Sequence, residues 1–174
     1  MSIKNRAILM SLCMCILGAD ILSKAYTCYY IPLLQRSVDM YPYGGIAVFY
    51  DFLGIDFSLN YVMNKGAAWG AFSSFQNYLL YARLLIILAL VSYLAVVKMA
   101  VFKRFALAFI AVGAIGNVLD YFVYGHVIDM FYFRFWGYSY PVFNVADSSI
   151  FIGVALLFMY SFKEKKQLTS SKPH

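Results

Sequence analysis

Charged residues are scarce: they make up 13% of the 174 residues, against 63% hydrophobic by the AVILMFWYC count, where soluble domains carry about 25% charged and roughly 45–50% apolar residues. Together with a mean hydropathy of +0.73, this deficit excludes an ordinary soluble domain and implies an integral membrane protein, with no second, soluble domain. Histidine is nearly missing, His126 and His174 being the only two. With no Ser–His or Cys–His arrangement evident, nucleophilic triads and histidine metal sites have little support, and neither a metal nor another cofactor is expected. The three cysteines, Cys13, Cys15 and Cys28, lack ligand spacing, so apolar packing is the expectation rather than a disulfide framework. Repeats and low-complexity tracts do not stand out. A net charge of +6 raises nucleic acid as a partner, but the basic residues collect at the ends of apolar runs. They are read as topology signals, and no nucleic acid is expected.

What the chain does have is long apolar runs. Four of them, at 7–26, 78–97, 105–124 and 142–162, approach the roughly 20 residues needed to cross a hydrocarbon core of about 30 Å. Lys4 and Arg6 precede the first, Lys98, Lys103 and Arg104 fill the link between the second and third, and Lys163, Lys165, Lys166 and Lys172 follow the fourth. Nine of the fourteen basic residues thus fall on one side, which the positive-inside rule makes cytoplasmic, with both termini there and residues 163–174 as a solvated tail. The first run has Leu12 before Cys13 and no small-x-small cleavage site, so it is expected to be a retained helix rather than a removed leader.

Two outer segments remain, 27–77 and 125–141. In the longer one Phe57, Leu59, Tyr61 and Met63 alternate with Ser58, Asn60, Val62 and Asn64, and Ile46, Val48, Tyr50 and Phe52 alternate upstream. This period of two, with "LGID" (53–56) as the turn, predicts a small hairpin or sheet resting on the membrane surface. Tyr29, Tyr30, Tyr41, Tyr43, Tyr78 and Tyr81 lie near the expected outer boundary, where amphipathic rings are favoured. The expected fold is therefore one domain over 1–174, all-α in the membrane, with four spanning helices and a small outer β-subdomain.

Seven of the eight acidic residues are aspartates, and Asp20, Asp120 and Asp147 fall in apolar segments, with Asp129 just after the third. An ionised carboxylate at mid-membrane costs about 2.5–3.5 kcal/mol on insertion scales, so such residues face a bundle interior or a wet cavity. Gly113, Gly116, Asn117 and Asp120 form one helical stripe; Asn144, Asp147 and Ser148 form another, and Asp20 and Lys24 are four apart. Small residues on such stripes let helices approach while the polar ones turn inward. All three clusters fall at one depth, near the outer face. Taken singly, Asp20 with Lys24 reads equally as an i,i+4 pair, and Asn117 and Asn144 as interhelical glue. As a set, the carboxylates favour function. Two carboxylates held close share one proton, so one accepts from water while the other donates to a scissile carbonyl or leaving amine. His126 is read as an interfacial hydrogen-bonding residue.

The motifs "DILSK" (20–24), "NKGAAWG" (64–70), "GNVLD" (116–120), "GHVID" (125–129) and "FNVAD" (143–147) occur in the order found in lipoprotein signal peptidases, the signal peptidase II family, which the chain resembles from about Asp20 to the end of the fourth helix. That resemblance implies an aspartyl endopeptidase of the bacterial inner membrane. It would cleave prolipoproteins before a diacylglyceryl-modified cysteine, near the periplasmic face, as a single copy among membrane lipid. Carried over by motif, Asp129 and Asp147 are the catalytic pair, and Asp20, Lys24, Asn64, Asn117, Asp120 and Asn144 line or brace the site. Three positions depart from the family pattern: Ile21 stands where glutamine is usual, Tyr121 where arginine is usual, and Met130 where phenylalanine is expected. A transporter or proton relay built on intramembrane carboxylates is the competing expectation, and an assembly protein with polar helix glue a third.

Overall fold

The computed structural model describes residues 1–31, 33, 45–65 and 75–170, the last six by backbone alone. Its elements run α1 (Ile3–Tyr30), β1 (Ile46–Phe52), β2 (Ile55–Asn64), α2 (Gln76–Val96), α3 (Val101–Tyr124), β3 (Val127–Phe135), β4 (Tyr138–Ser139) and α4 (Val145–Ser170). Four helices are long and apolar enough to cross a membrane, α4 over Val145–Glu164. The bounds differ from the expected ones in an instructive way. Helix α1 runs several residues beyond 7–26 at each end, starting at a Ser2 cap whose hydroxyl accepts from the Asn5 N–H. Helix α4 starts three residues later than the apolar run and continues through the basic stretch to Ser170. Apolar length measures only what lipid covers, whereas helices end where caps and backbone allow.

Helix α3 is the centre of the bundle, with Ala106, Leu107, Ala108, Ala111, Val112, Gly113, Gly116, Val118 and Asp120 buried. Small residues make this possible. A Cβ added to Gly113 would collide with the Ala146 carbonyl oxygen, and one added to Gly153 would lie 2.6 Å from the Ala106 oxygen. Glycine therefore sets how closely α3 and α4 approach. Helices α1, α2 and α4 instead expose apolar side chains such as Met10, Leu22, Leu85, Leu88, Phe151 and Phe158 outward, the arrangement a lipid solvent favours.

The expected hairpin is present and is half of something larger. An antiparallel sheet of order β1-β2-β3-β4 joins strands from both outer segments. Segment 125–141, expected to be a loop, is mostly β3 and β4; its run "VIDMFYFRF" is apolar on both faces and so lacks the alternation that marked β2. The first turn is tighter than 53–56: Phe52 pairs with Ile55, leaving Leu53 and Gly54 at φ 56° and 80°, which fits the two-residue primed hairpin turn. Trp136 and Gly137, at φ 46° and 86°, repeat the device between β3 and β4. On β2 the buried face is the polar one, Asp56, Ser58 and Asn60, while Phe57, Leu59 and Tyr61 are half-exposed. Phe57 stacks on Phe133 at 4.4 Å between centroids, so the sheet presents an aromatic face outward. Tyr29, Tyr30, Tyr78 and Tyr81 are exposed at the same end of the bundle; Tyr41 and Tyr43 lie outside the described residues, as do positions 66–70 of the "NKGAAWG" motif and Lys172.

Candidate active site

The polar residues buried in the bundle meet where the sheet joins it. Gly125 ends α3 in the left-handed region at φ 76°, which turns the chain straight into β3 and brings Asp129 back beside the helix ends. Asn144, immediately before α4, caps it: its Oδ1 accepts the Asp147 N–H at 2.8 Å, and Asp147 Oδ2 accepts the Asn144 N–H at 3.3 Å. This reciprocal pair is a capping box, and it places the Asp147 carboxylate at the positive end of the helix dipole.

The same Asn144 reaches the other carboxylate. Its Nδ2 donates to Asp129 Oδ1 at 2.8 Å and lies 3.2 Å from the Ile128 carbonyl oxygen. Asp129 Oδ2 accepts from Asn64 Nδ2 at 2.9 Å, and Asp147 Oδ1 accepts from Asn117 Nδ2 at 2.8 Å. One asparagine thus bridges two aspartates, and each aspartate has a second asparagine donor. Asp129 is only 3% exposed. Burial first, and the nearby Asp147 second, push its carboxyl up to about 7, against the opposing pull of Asn64, Asn144 and Lys24.

Beneath the pair sits a buried ion cluster. Lys24 lies 2.7 Å from Asp20 Oδ2 and 2.7 Å from Asp120 Oδ2, and donates to Asn117 Oδ1 at 3.2 Å. Asp20 and Lys24 are an i,i+4 pair, but their side chains are 1% and 0% exposed, so they belong to the interior rather than to a snorkelling surface pair. Asp20 Oδ1 accepts the Ala146 N–H in the first turn of α4 at 2.8 Å, and Asp120 Oδ2 accepts the Ile128 N–H of β3 at 3.2 Å.

All eight residues singled out in the sequence are therefore in one connected network. Backbone donors, Ala146 and Ile128, complete it and leave no mark on the side-chain pattern. Ala146 is fully buried against Gly116, a contact only the facing helices reveal. The three departing positions stand apart: Ile21 is 45% exposed, Met130 is buried with its sulfur 3.6 Å from the Thr27 hydroxyl, and Tyr121 donates to Asn77 at 2.8 Å, tying α3 to α2. Chemically, the arrangement holds two carboxylates in unequal surroundings at the rim of an apolar bundle, near enough that the charge of Asp147 favours the protonated form of Asp129.

Comparison with known proteins agrees with this architecture. The family model described as signal peptidase (SPase) II matches residues 12–163. A lipoprotein signal peptidase of Chlamydia pneumoniae is 39% identical over 118 residues, covering 67% of this chain and 70% of that protein. One from Synechocystis sp. (strain ATCC 27184 / PCC 6803 / Kazusa) is 38% identical over 106 residues, 61% of this chain and 65% of that one. Two solved structures, each described as a bacterial membrane enzyme, superpose with TM-scores of 0.74 and 0.71. The first covers 97% of this chain and 93% of its own at 24% identity, the second 90% and 94% at 26%. The chain is a multi-pass membrane protein and belongs to the signal peptidase II family.

Proposed function

We infer that the protein is an aspartic endopeptidase that removes signal peptides from prolipoproteins, cutting before a diacylglyceryl-modified cysteine, in a bacterial inner membrane with its site toward the periplasm. The supporting observation is the Asn144 bridge, which holds Asp129 and Asp147 in unlike environments. Asp147, accepting from Asn117 and from the Asn144 backbone N–H at the positive end of α4, is the ionised partner. Asp129, buried on a strand, keeps its proton near neutral pH.

In the reaction Asp147 takes a proton from water as its oxygen attacks the scissile carbonyl carbon, while Asp129 gives its proton to the carbonyl oxygen. The resulting gem-diol then collapses: a hydroxyl proton returns to Asp129, the Asp147 proton passes to the leaving nitrogen, and the C–N bond breaks. Both carboxyl groups end as they began. Apolar surroundings suit a substrate whose acyl chains stay in lipid while only the scissile bond enters the polar end.

The test is cleavage of a diacylglyceryl-modified prolipoprotein by purified protein in detergent. Wild type should cut before the lipidated cysteine, and folded Asp129→Asn and Asp147→Asn should each lose about 10³-fold or more. A wild type inert on several such substrates, or either variant cutting at the normal rate, overturns the reading and brings forward a proton relay.

A further inference from the structure

We propose that Lys24 is a positioning residue whose ammonium fixes the orientation of the Asn117 carboxamide, and through it the donor aimed at Asp147; this rests on the reading of Asp129 and Asp147 as the catalytic pair. A carboxamide can present either end to a neighbour, and the two ends differ in sign. Here Asn117 Oδ1 accepts from Lys24 at 3.2 Å and from Asn144 Nδ2 at 3.1 Å, which leaves Nδ2 facing Asp147 Oδ1 at 2.8 Å. Turned over, the group would aim N–H at an ammonium and oxygen at a carboxylate. Lysine has donors only, so the ammonium forbids that state.

Lys24 acts at one remove. Its three N–H groups are matched by Asp20, Asp120 and Asn117, and its side chain is fully buried, so no donor is left for either member of the pair or for substrate. Its partners are anchored to the backbone beside each catalytic position: Asp20 to the N–H of Ala146, one residue before Asp147, and Asp120 to the N–H of Ile128, one residue before Asp129. The ammonium therefore joins α1 to both sides of the pair. The plainer account is that Lys24 only neutralises two buried carboxylates so that the bundle folds.

The two accounts separate in Lys24→Met/Asp120→Asn, which removes one charge of each sign. With the charge balance kept and Asn117 Oδ1 left with Asn144 Nδ2 as a donor but without the ammonium, kcat should fall by about tenfold or more while KM stays within about twofold, the signature of lost reactive geometry rather than lost binding. A folded double variant with wild-type kcat overturns the proposal. Should that variant fail to fold, Asn117→Asp decides: it keeps the acceptor for Lys24 and removes the donor to Asp147. Its kcat should fall by about a hundredfold, and cleavage at the wild-type rate overturns the proposal. Asp129→Asn and Asp147→Asn run beside them: activity in these two sinks the catalytic pair itself, whereas inactivity there with full activity in the other variants sinks only the role of Lys24.

Discussion

At the residue scale, the informative contrast is between the two aspartates. Asp147 sits inside a capping box at a helix terminus, and Asp129 sits on a strand, 3% exposed, with its carboxyl pushed up to about 7. A mechanism that needs Asp129 protonated predicts a specific pH dependence. As pH rises through about 7 the proton is lost, so kcat/KM, which reports the free enzyme, should fall about tenfold per unit at higher pH. A rate profile in lipid or detergent checks this, and a flat profile through pH 9 would move the proton elsewhere. Because the groups are coupled, the limb belongs to the pair. Much of this scale is legible in the sequence: an ionisable or amide side chain within an apolar run has few benign places to go, so Asp20, Asn117, Asp120 and Asp147 stand out. The direction of each hydrogen bond is not legible. Whether Asn117 turns its oxygen to Lys24 depends on side chains from three elements meeting, and Ala146 contributes only a backbone N–H.

At the element scale, glycine governs how closely helices pack. Gly113 and Gly153 face backbone oxygen of the opposite helix, and backbone cannot swing aside as a flexible side chain can. Gly113→Ala and Gly153→Ala should each destabilise the α3–α4 pair by about 1–3 kcal/mol through overpacking. Gly18, by contrast, has open space where a methyl group would stand, with nothing within 4 Å, so Gly18→Ala should be neutral or stabilise by up to about 1 kcal/mol from helix propensity. Thermal unfolding in detergent measures all three, and equal midpoints would show that the helices adjust freely. The helices were legible because lipid demands a minimum apolar length, and β2 because its alternation is regular. Strand β3 was not, since Val127, Ile128, Met130 and Phe131 are apolar on both faces and the period that identifies a half-buried strand is absent. The burial of Ser58 and Asn60 beside half-exposed Phe57 and Leu59 also reverses the soluble-protein expectation. Alternation reveals that a strand has two faces, and the surrounding solvent decides which one turns inward.

At the scale of the whole molecule, topology follows from parity and charge together. Strand β2 lies between α1 and α2, and β3 between α3 and α4, yet they pair in one sheet. If all four helices cross, two crossings separate these strands, which puts them on the same side, and both chain ends on the other. A sheet shared by two segments so far apart is independent support for an even count of crossings. Parity leaves the absolute direction open, and only charge supplies it: Lys4, Arg6, Lys98, Lys103, Arg104 and, toward the C-terminal end of α4, Lys163, Lys165 and Lys166 gather at the ends opposite the sheet. Retention of such residues on the cytoplasmic side is what sets the orientation of a multi-pass chain. It predicts that, in a chain whose three native cysteines are replaced by serine, Tyr138→Cys in β4 is labelled by a membrane-impermeant maleimide on intact spheroplasts. Glu164→Cys, exposed near the end of the fourth span, should be labelled only after lysis. The reverse pattern would place the sheet and the aspartate pair in the cytoplasm, where a substrate still awaiting export would meet them; labelling of both positions before lysis would break the four-crossing topology itself.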